Sequence, residues 1–371
     1  MRRILGLISL VVGAFALLLG VLAKPVIYDS LAKVELDQET VSVSRGEGMS
    51  ALRVSADGIE KLENVTLLST RNVVGVPGLA TDNNAFWQTT VESSVEDGPV
   101  LSYSDEGVSF DRTTAMSTNC CGDYIAVGDA SQPDDVAVRE PIQHDGLFFK
   151  FPFNTQQEDY PYWDGAVGEA VTAVYSGEEK LEGVTAYKFV MEIGPQEVAQ
   201  SAGLPGELFG TDEPVDAARV YENTRTLWVE PNTGVILRGL EEQNVRFEPV
   251  DASLPTVPIT QGAIGYTDDT VKANADEYGS KGALLGFIHG PLTLVGVITG
   301  LLLLALGVFL TLGNGRREDA YGAHYNPDQD DNRDYVEGYD EGYVEDYDAD
   351  YAEGESDAEL LTRRMHRDRN G

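Results

Sequence analysis

Two cysteines, four histidines and 26 basic residues against 62 acidic ones are what this 371-residue chain has little of. The usual spacings of zinc ligands are missing, and His144 is the only histidine well inside the central part, so a metal centre is not expected. With a net charge of −36, nucleic acid is excluded as a partner, and so is broad adhesion to anionic headgroups, since both need clustered Lys and Arg. Solubility, or adaptation to a salty habitat, accounts for the acid excess. No GxSxG elbow, HExxH helix or Walker loop occurs, and His144 beside Asp145 in QHDG reads as a loop pair rather than half of a triad. Carboxylates are so abundant that a catalytic pair could be chosen anywhere, which makes any choice uninformative. The central part is read as a non-enzyme without cofactor, metal or catalytic residue.

What the chain does have is two long runs free of charge. Residues 292–312, LTLVGVITGLLLLALGVFLTL, would rise about 30 Å as a helix, enough to cross a bilayer core. Residues 4–23 form the other run, after Arg2 and Arg3 and before Lys24. Val21 and Ala23 would suit a signal-peptide cleavage site, but the run is longer than the usual apolar region, and an uncleaved anchor fits better. Arg2 and Arg3 on one side, and Arg316 and Arg317 on the other, predict by the positive-inside rule that both termini are cytoplasmic. The expected organisation is therefore a cytoplasmic start (1–3), a first span (4–23), an extracytoplasmic domain (24–281), a region holding the second span (283–312, core 292–312) and a cytoplasmic tail (313–371). Gly6, Gly13 and Gly20 recur by sevens, and Gly296, Gly300 and Gly307 form an extended GxxxG. Either these rows let the spans pack on each other, or they reflect only the frequency of glycine in membrane helices.

Period-two alternation dominates the domain. In VTAYKFVMEI (184–193), Tyr187, Phe189, Met191 and Ile193 share one face, and residues 170–175 reach this strand through SGEEKLEG, a hairpin-like connection. VYENTRTLWVE (220–230), the turn Pro231-Asn232-Thr233-Gly234 and VILRGL (235–240) give an antiparallel signature. Further strands are expected at 39–43, 65–70 with 72–76, 86–91 and 100–103. Helical spacing is scarce, with 196–202 its best candidate. The fold class that follows is mainly β, an elongated antiparallel barrel or sandwich between two transmembrane helices.

Cys120 and Cys121 are adjacent in the exported part, where disulfides persist. They could bridge each other, cross-link two chains or remain thiols; an intrachain bridge fixing a turn at 119–122 is favoured over a redox role. The aromatics are densest in LFFKFPFNTQQEDYPYWDG (147–165). Phe149, Phe151 and Phe153 alternate as on one strand face, and Tyr160, Tyr162 and Trp163 follow a polar loop. Core packing explains them by default, and the functional alternative is the lipid-facing wall of an apolar cavity.

The tail is a different kind of polymer. From 318 to 359 it carries 17 acidic residues against Arg333 alone, which predicts disorder. Tyr335, Tyr339, Tyr343, Tyr347 and Tyr351 recur every four residues, either within a solvated low-complexity segment or as a docking site for a cytoplasmic protein partner, whose acidic body could fold back on Arg363, Arg364, Arg367 and Arg369. A calcium loop at Asp328, Asp330 and Asn332 is ruled out by Arg333 at the glycine position.

The order NCCG (119–122), GLFFKFPF (146–153), YPYWDG (160–165) and NTRTLWVEPNTGVILRG (223–239) between two spans resembles the actinobacterial PorA-like family of membrane proteins, which includes LmcA-like lipomannan-maturation factors. The resemblance runs from the first span to the second and leaves out the tail. It implies an elongated, barrel-like extracytoplasmic domain that binds or conveys a lipid or glycolipid intermediate in cell-envelope lipoglycan assembly. It carries over no residue role. Two other classes stay in view, an envelope scaffold with a docking tail and a porin-like channel. Two helical spans do not supply the many lipid-facing strands of an outer-membrane barrel.

Overall fold

In the computed structural model the described residues are 1–55, 58–128 and 138–312. The proposed acidic tail, with its tyrosine repeat and basic end, lies outside them. Twelve strands form one antiparallel sheet: β1 (Glu39–Ser55), β2 (Gly58–Gly75), β3 (Asn84–Val95), β4 (Val100–Asp111), β5 (Tyr124–Gly128), β6 (Glu140–Pro141), β7 (Tyr160–Asp164), β8 (Glu169–Leu181), β9 (Val184–Leu204), β10 (Val215–Val229), β11 (Ile236–Pro249) and β12 (Val257–Tyr266). Their order is β6-β5-β4-β3-β2-β1-β12-β11-β10-β9-β8-β7, two six-stranded meanders joined where the first strand meets the last. One continuous sheet replaces the sandwich alternative. Its rim is closed by irregular chain: Asp111 N–H donates to Met116 O, Ser117 N–H to Gly146 O and Leu147 N–H to Pro161 O, so hydrogen bonds run from β4 to β7. That girdle makes the sheet barrel-like and leaves fewer edge groups unpaired.

The alternation read in the sequence is the basis of these strands, but they run longer than it suggested. Phe189, Met191 and Ile193 of β9 are buried, and Tyr187 is half-buried beside them. The SGEEKLEG connection is mostly strand; the reversal is confined to Glu182 and Gly183, both at positive φ, between the paired Leu181 and Val184. Residues 196–202 are extended, not helical: Glu197 pairs with Val220 and Gln200 with Ala218, and this pairing overrides local spacing. Residues 147–153 are not a strand either. They form an irregular segment pinned by Phe151 N–H to Gly234 O (2.7 Å) and Asn154 N–H to Asn232 O (3.1 Å).

Helix α1 (Arg2–Leu22) continues through a π-helical stretch, Ala23–Tyr28, into the short turn α2 (Asp29–Leu31). Helix α4 (Pro291–Leu312) covers the second apolar run. Both are long and apolar enough to cross a membrane. They pack antiparallel, and the two glycine rows are the contact: a Cβ on Gly20 would lie 2.7 Å from Val297 N, and one on Gly300 2.6 Å from Leu17 N. A further helix, α3 (Asp268–His289), has no counterpart in the sequence reading. Thr267 caps it by accepting from Thr270 N–H, and Asp268 and Asp269 fill its first turn, where the helix dipole favours acid. Gly279, Gly282 and Gly286 seat it against Val184, Glu230 and Asn232, on the reversals that end β8 and β10.

Candidate functional site

The barrel encloses a cavity of about 840 Å³, lined by residues of β1 to β4 and β9 to β12 together with Phe148, Tyr162, Trp163 and Gly165. A second cavity, of about 290 Å³, lies at the end where the helices join, against Leu31, Leu284 and Leu285. Ser42, Arg71, Ile236 and Tyr266 line both, so the two share a wall. Arg71 is fixed there by a 3.0 Å bond from its Nε to Thr89 and lies over the rings of Phe148 and Phe149 at 5.4 and 5.5 Å.

The six aromatics singled out from the sequence divide among these surroundings. Tyr162 and Trp163 line the larger cavity, and Phe149 and Phe153 the smaller. Phe151 and Tyr160 belong to the packed core: Phe151 is fully buried, stacked on Phe189 at 4.5 Å and edge-on to Tyr160 at 5.4 Å. Tyr162 lies in both environments, since its hydroxyl donates to the Phe148 carbonyl while its ring meets Phe151 at 5.7 Å. Cavity wall and core are thus continuous, with Phe151 as the shared support.

Several residues at the site carry no sequence signal of their own. Arg225 lies half-buried between Asp164 (3.1 Å) and Glu241 (3.0 Å) on the wall of the larger cavity. Burial opposes its charge, but Glu241 and Asp164 outweigh it and hold the guanidinium protonated; Arg225 in turn keeps Glu241 below its ordinary range despite burial. Asn223 and Gln243 complete the set by donating to Glu241 Oε2 at 3.0 and 2.7 Å. The motif NTRTLWVEPNTG supplies two members, Asn223 and Arg225, and its last residues make the tight reversal in which Glu230 accepts from the N–H and Oγ of Thr233. Lys150 lines the smaller cavity with no hydrogen-bond partner for its Nζ among the described residues, and that atom lies 3.5 Å from the centre of the Phe153 ring. Burial pushes it down to about 7.

His144 departs from the loop-pair reading. It is 2% exposed, and its Nδ1 faces Asp123 Oδ2 at 3.1 Å, while Asp145 is exposed. Ser109 Oγ donates to the same Asp123 at 2.6 Å rather than meeting the imidazole, so the three do not take up charge-relay order. Cys120 and Cys121 are joined to each other by a disulfide, flanked by Asn119 and Gly122 at positive φ, which is the turn expected there. Cys120 N–H donates to Ser109 Oγ (2.9 Å), tying that turn to the buried cluster.

A protein described as Porin PorA from Corynebacterium amycolatum is 29% identical over 36% of this chain and 42% of its own. Another of that description, from Corynebacterium resistens, is 25% identical over 36% of this chain and 45% of its own. The alignments thus span less than half the length of either relative. The family profile described as Porin PorA matches residues 5–309, from within the first apolar helix almost to the end of the second, and the chain belongs to that family of membrane proteins.

Proposed function

We propose that the barrel holds a lipid or glycolipid intermediate of cell-envelope assembly, with its apolar part in the smaller cavity and its polar part in the larger. The observation that carries this is the wall shared at Arg71, Ile236 and Tyr266 between two cavities, the smaller bordered by Leu31, where the first apolar span ends, and by α3, and the larger by barrel strands. Leu31, Phe149, Phe153, Leu284 and Leu285 give the smaller one apolar groups, and Arg71, Arg225, Glu241 and Gln243 give the larger one polar groups. Cavities of this size, mainly apolar with a few placed polar groups, are typical of small-ligand sites. Arginines at the outer ends of both apolar runs support a topology with both termini cytoplasmic and the barrel extracytoplasmic. The antiparallel helix pair, which brings Gly6 beside Gly307, puts the outer ends of both helices together and supports the same topology.

The test is native mass spectrometry of the full-length protein released from nanodiscs loaded with envelope lipid. Retained lipid, lost when Val91→Trp fills the larger cavity, is the expected result. A protein that emerges lipid-free and conducts ions in planar bilayers would replace this reading with the channel.

A further inference from the structure

Among the described residues, three buried polar atoms beside the larger cavity have no hydrogen-bond partner: Glu106 Oε2, His144 Nε2 and Trp163 Nε1. The His144 and Trp163 rings are 5.0 Å apart, and His144 Nε2 stands 3.6 Å from Glu106 Oε2, beyond hydrogen-bonding distance. Glu106, Trp163 and the neighbouring Phe148 line the cavity. Unmet buried polar groups are costly and ordinarily few. Here they are also held in place: Asp123 grips the far side of the imidazole, and Asn119 binds the His144 backbone through both its amide atoms. With His144 against both, the Trp163 indole N–H and the Glu106 carboxylate offer one donor and one acceptor, and the rings of Phe148 and Trp163 offer apolar faces.

Hydroxyls both donate and accept, so a hydroxyl-rich group satisfies both atoms; a phosphate or carboxylate would meet the Glu106 charge, and an ammonium has nothing to accept from Trp163. The C–H faces of a sugar or polyol also suit the rings of Phe148 and Trp163. The geometry points to a subsite, formed by Glu106, Trp163 and His144, for a hydroxyl-rich group of the sugar or polyol class. It rests on the proposal that the barrel takes an amphiphile, and it assigns that amphiphile's polar end. Glu106 accepts from a ligand hydroxyl, Trp163 donates to one, and His144 positions the carboxylate.

Calorimetric titration of the full-length protein in amphipol, with octyl glucoside below its micellar range, octanol and methyl glucoside, separates the cases. Octyl glucoside is expected to bind at least about tenfold tighter than octanol, as one added charged hydrogen bond would give. In Glu106→Gln, which keeps the side-chain shape, and in Trp163→Phe, which keeps a ring, its affinity falls toward that of octanol. Methyl glucoside binding as tightly as octyl glucoside would support the subsite and make the occupant a free sugar. Equal binding of octyl glucoside and octanol, or a preference that survives both substitutions, would overturn the subsite and leave the lipid reading standing. Failure of all three probes would remove both.

Discussion

The side-chain amide of Asn119 holds the backbone of His144 twice, donating to its carbonyl at 2.7 Å and accepting from its N–H at 2.8 Å. A residue next to the disulfide thereby fixes one that packs against Trp163 of the cavity wall. Asn119→Ala removes both bonds and leaves a non-glycine residue without a polar side chain at φ 51°, so a loss of about 2–4 kcal/mol is expected by thermal unfolding. Asn119→Gly keeps the backbone conformation and should lose less. Unreduced protein should take up no alkylating reagent at Cys120 or Cys121.

His144 gives that cluster a pH signature. Burial lowers its pKa, but the hydrogen bond to Asp123 and the nearby negative charge of Glu106 outweigh burial and hold the imidazole above its ordinary 6.5. A group raised in the folded state adds stability that is complete below the unfolded value and lost as pH rises through the folded one. His144→Asn should therefore cost more at pH 5.5 than at pH 8.5, read as the difference in melting temperature from the parent protein at each pH.

Lys150 works in the opposite sense. Depressed by burial to about 7 from an ordinary 10.5, it binds fewer protons in the folded state between those values, so its contribution to stability rises with pH across that window. Below about 7 the full cost of a buried ammonium is present. Lys150→Met should raise the melting temperature at pH 6 and flatten its dependence between pH 7 and 10.

Gly234 closes the reversal between β10 and β11 at φ 74°, where a Cβ would come within 2.0 Å of the Phe151 carbonyl. Gly234→Ala should cost more than about 3 kcal/mol, since the backbone is strained and the carbonyl cannot yield without shifting the Phe151 ring from its stack on Phe189. Loss of lipid retention alongside stability would fit, because the displaced segment supplies Phe149 and Phe153 to the smaller cavity.

These positions mark how far the sequence could be read. The two apolar runs, the alternation through Tyr187 to Ile193 and the Pro231–Gly234 reversal are local patterns, and local patterns survive into the structure. The alternation of Phe149, Phe151 and Phe153 is equally local, but their backbone bonds go to Thr113 and Gly234, far along the chain, and no spacing foretells that. Helix α3 escaped notice because glycines occupy the face it lays on the barrel, where an apolar stripe would normally signal a helix. Nor can alternation say which inward side chain meets a void: Phe151 and Trp163 look alike in sequence, yet one is packed on every side and the other borders 840 Å³ of space.

The glycine rows offer a check on the membrane part alone. Gly13→Ile or Gly300→Ile would drive a side chain into the opposite backbone, where a single Cβ already meets Leu304 N at 2.8 Å or Leu17 N at 2.6 Å. Spin labels on the two helices should report a wider separation, while the melting of the barrel, followed by near-ultraviolet circular dichroism, should shift little.

The pairing of β1 with β12 has a consequence for biogenesis. Ser44 is among the first barrel residues to be synthesised and its partner Tyr266 among the last, so the central seam stays open until nearly the whole domain has emerged. Until then β1 presents a bare edge, open to mispairing with other chains. Anything that delays the arrival of β12 lengthens that exposure, and closing the seam draws the segments leading to both helices to the same side of the barrel.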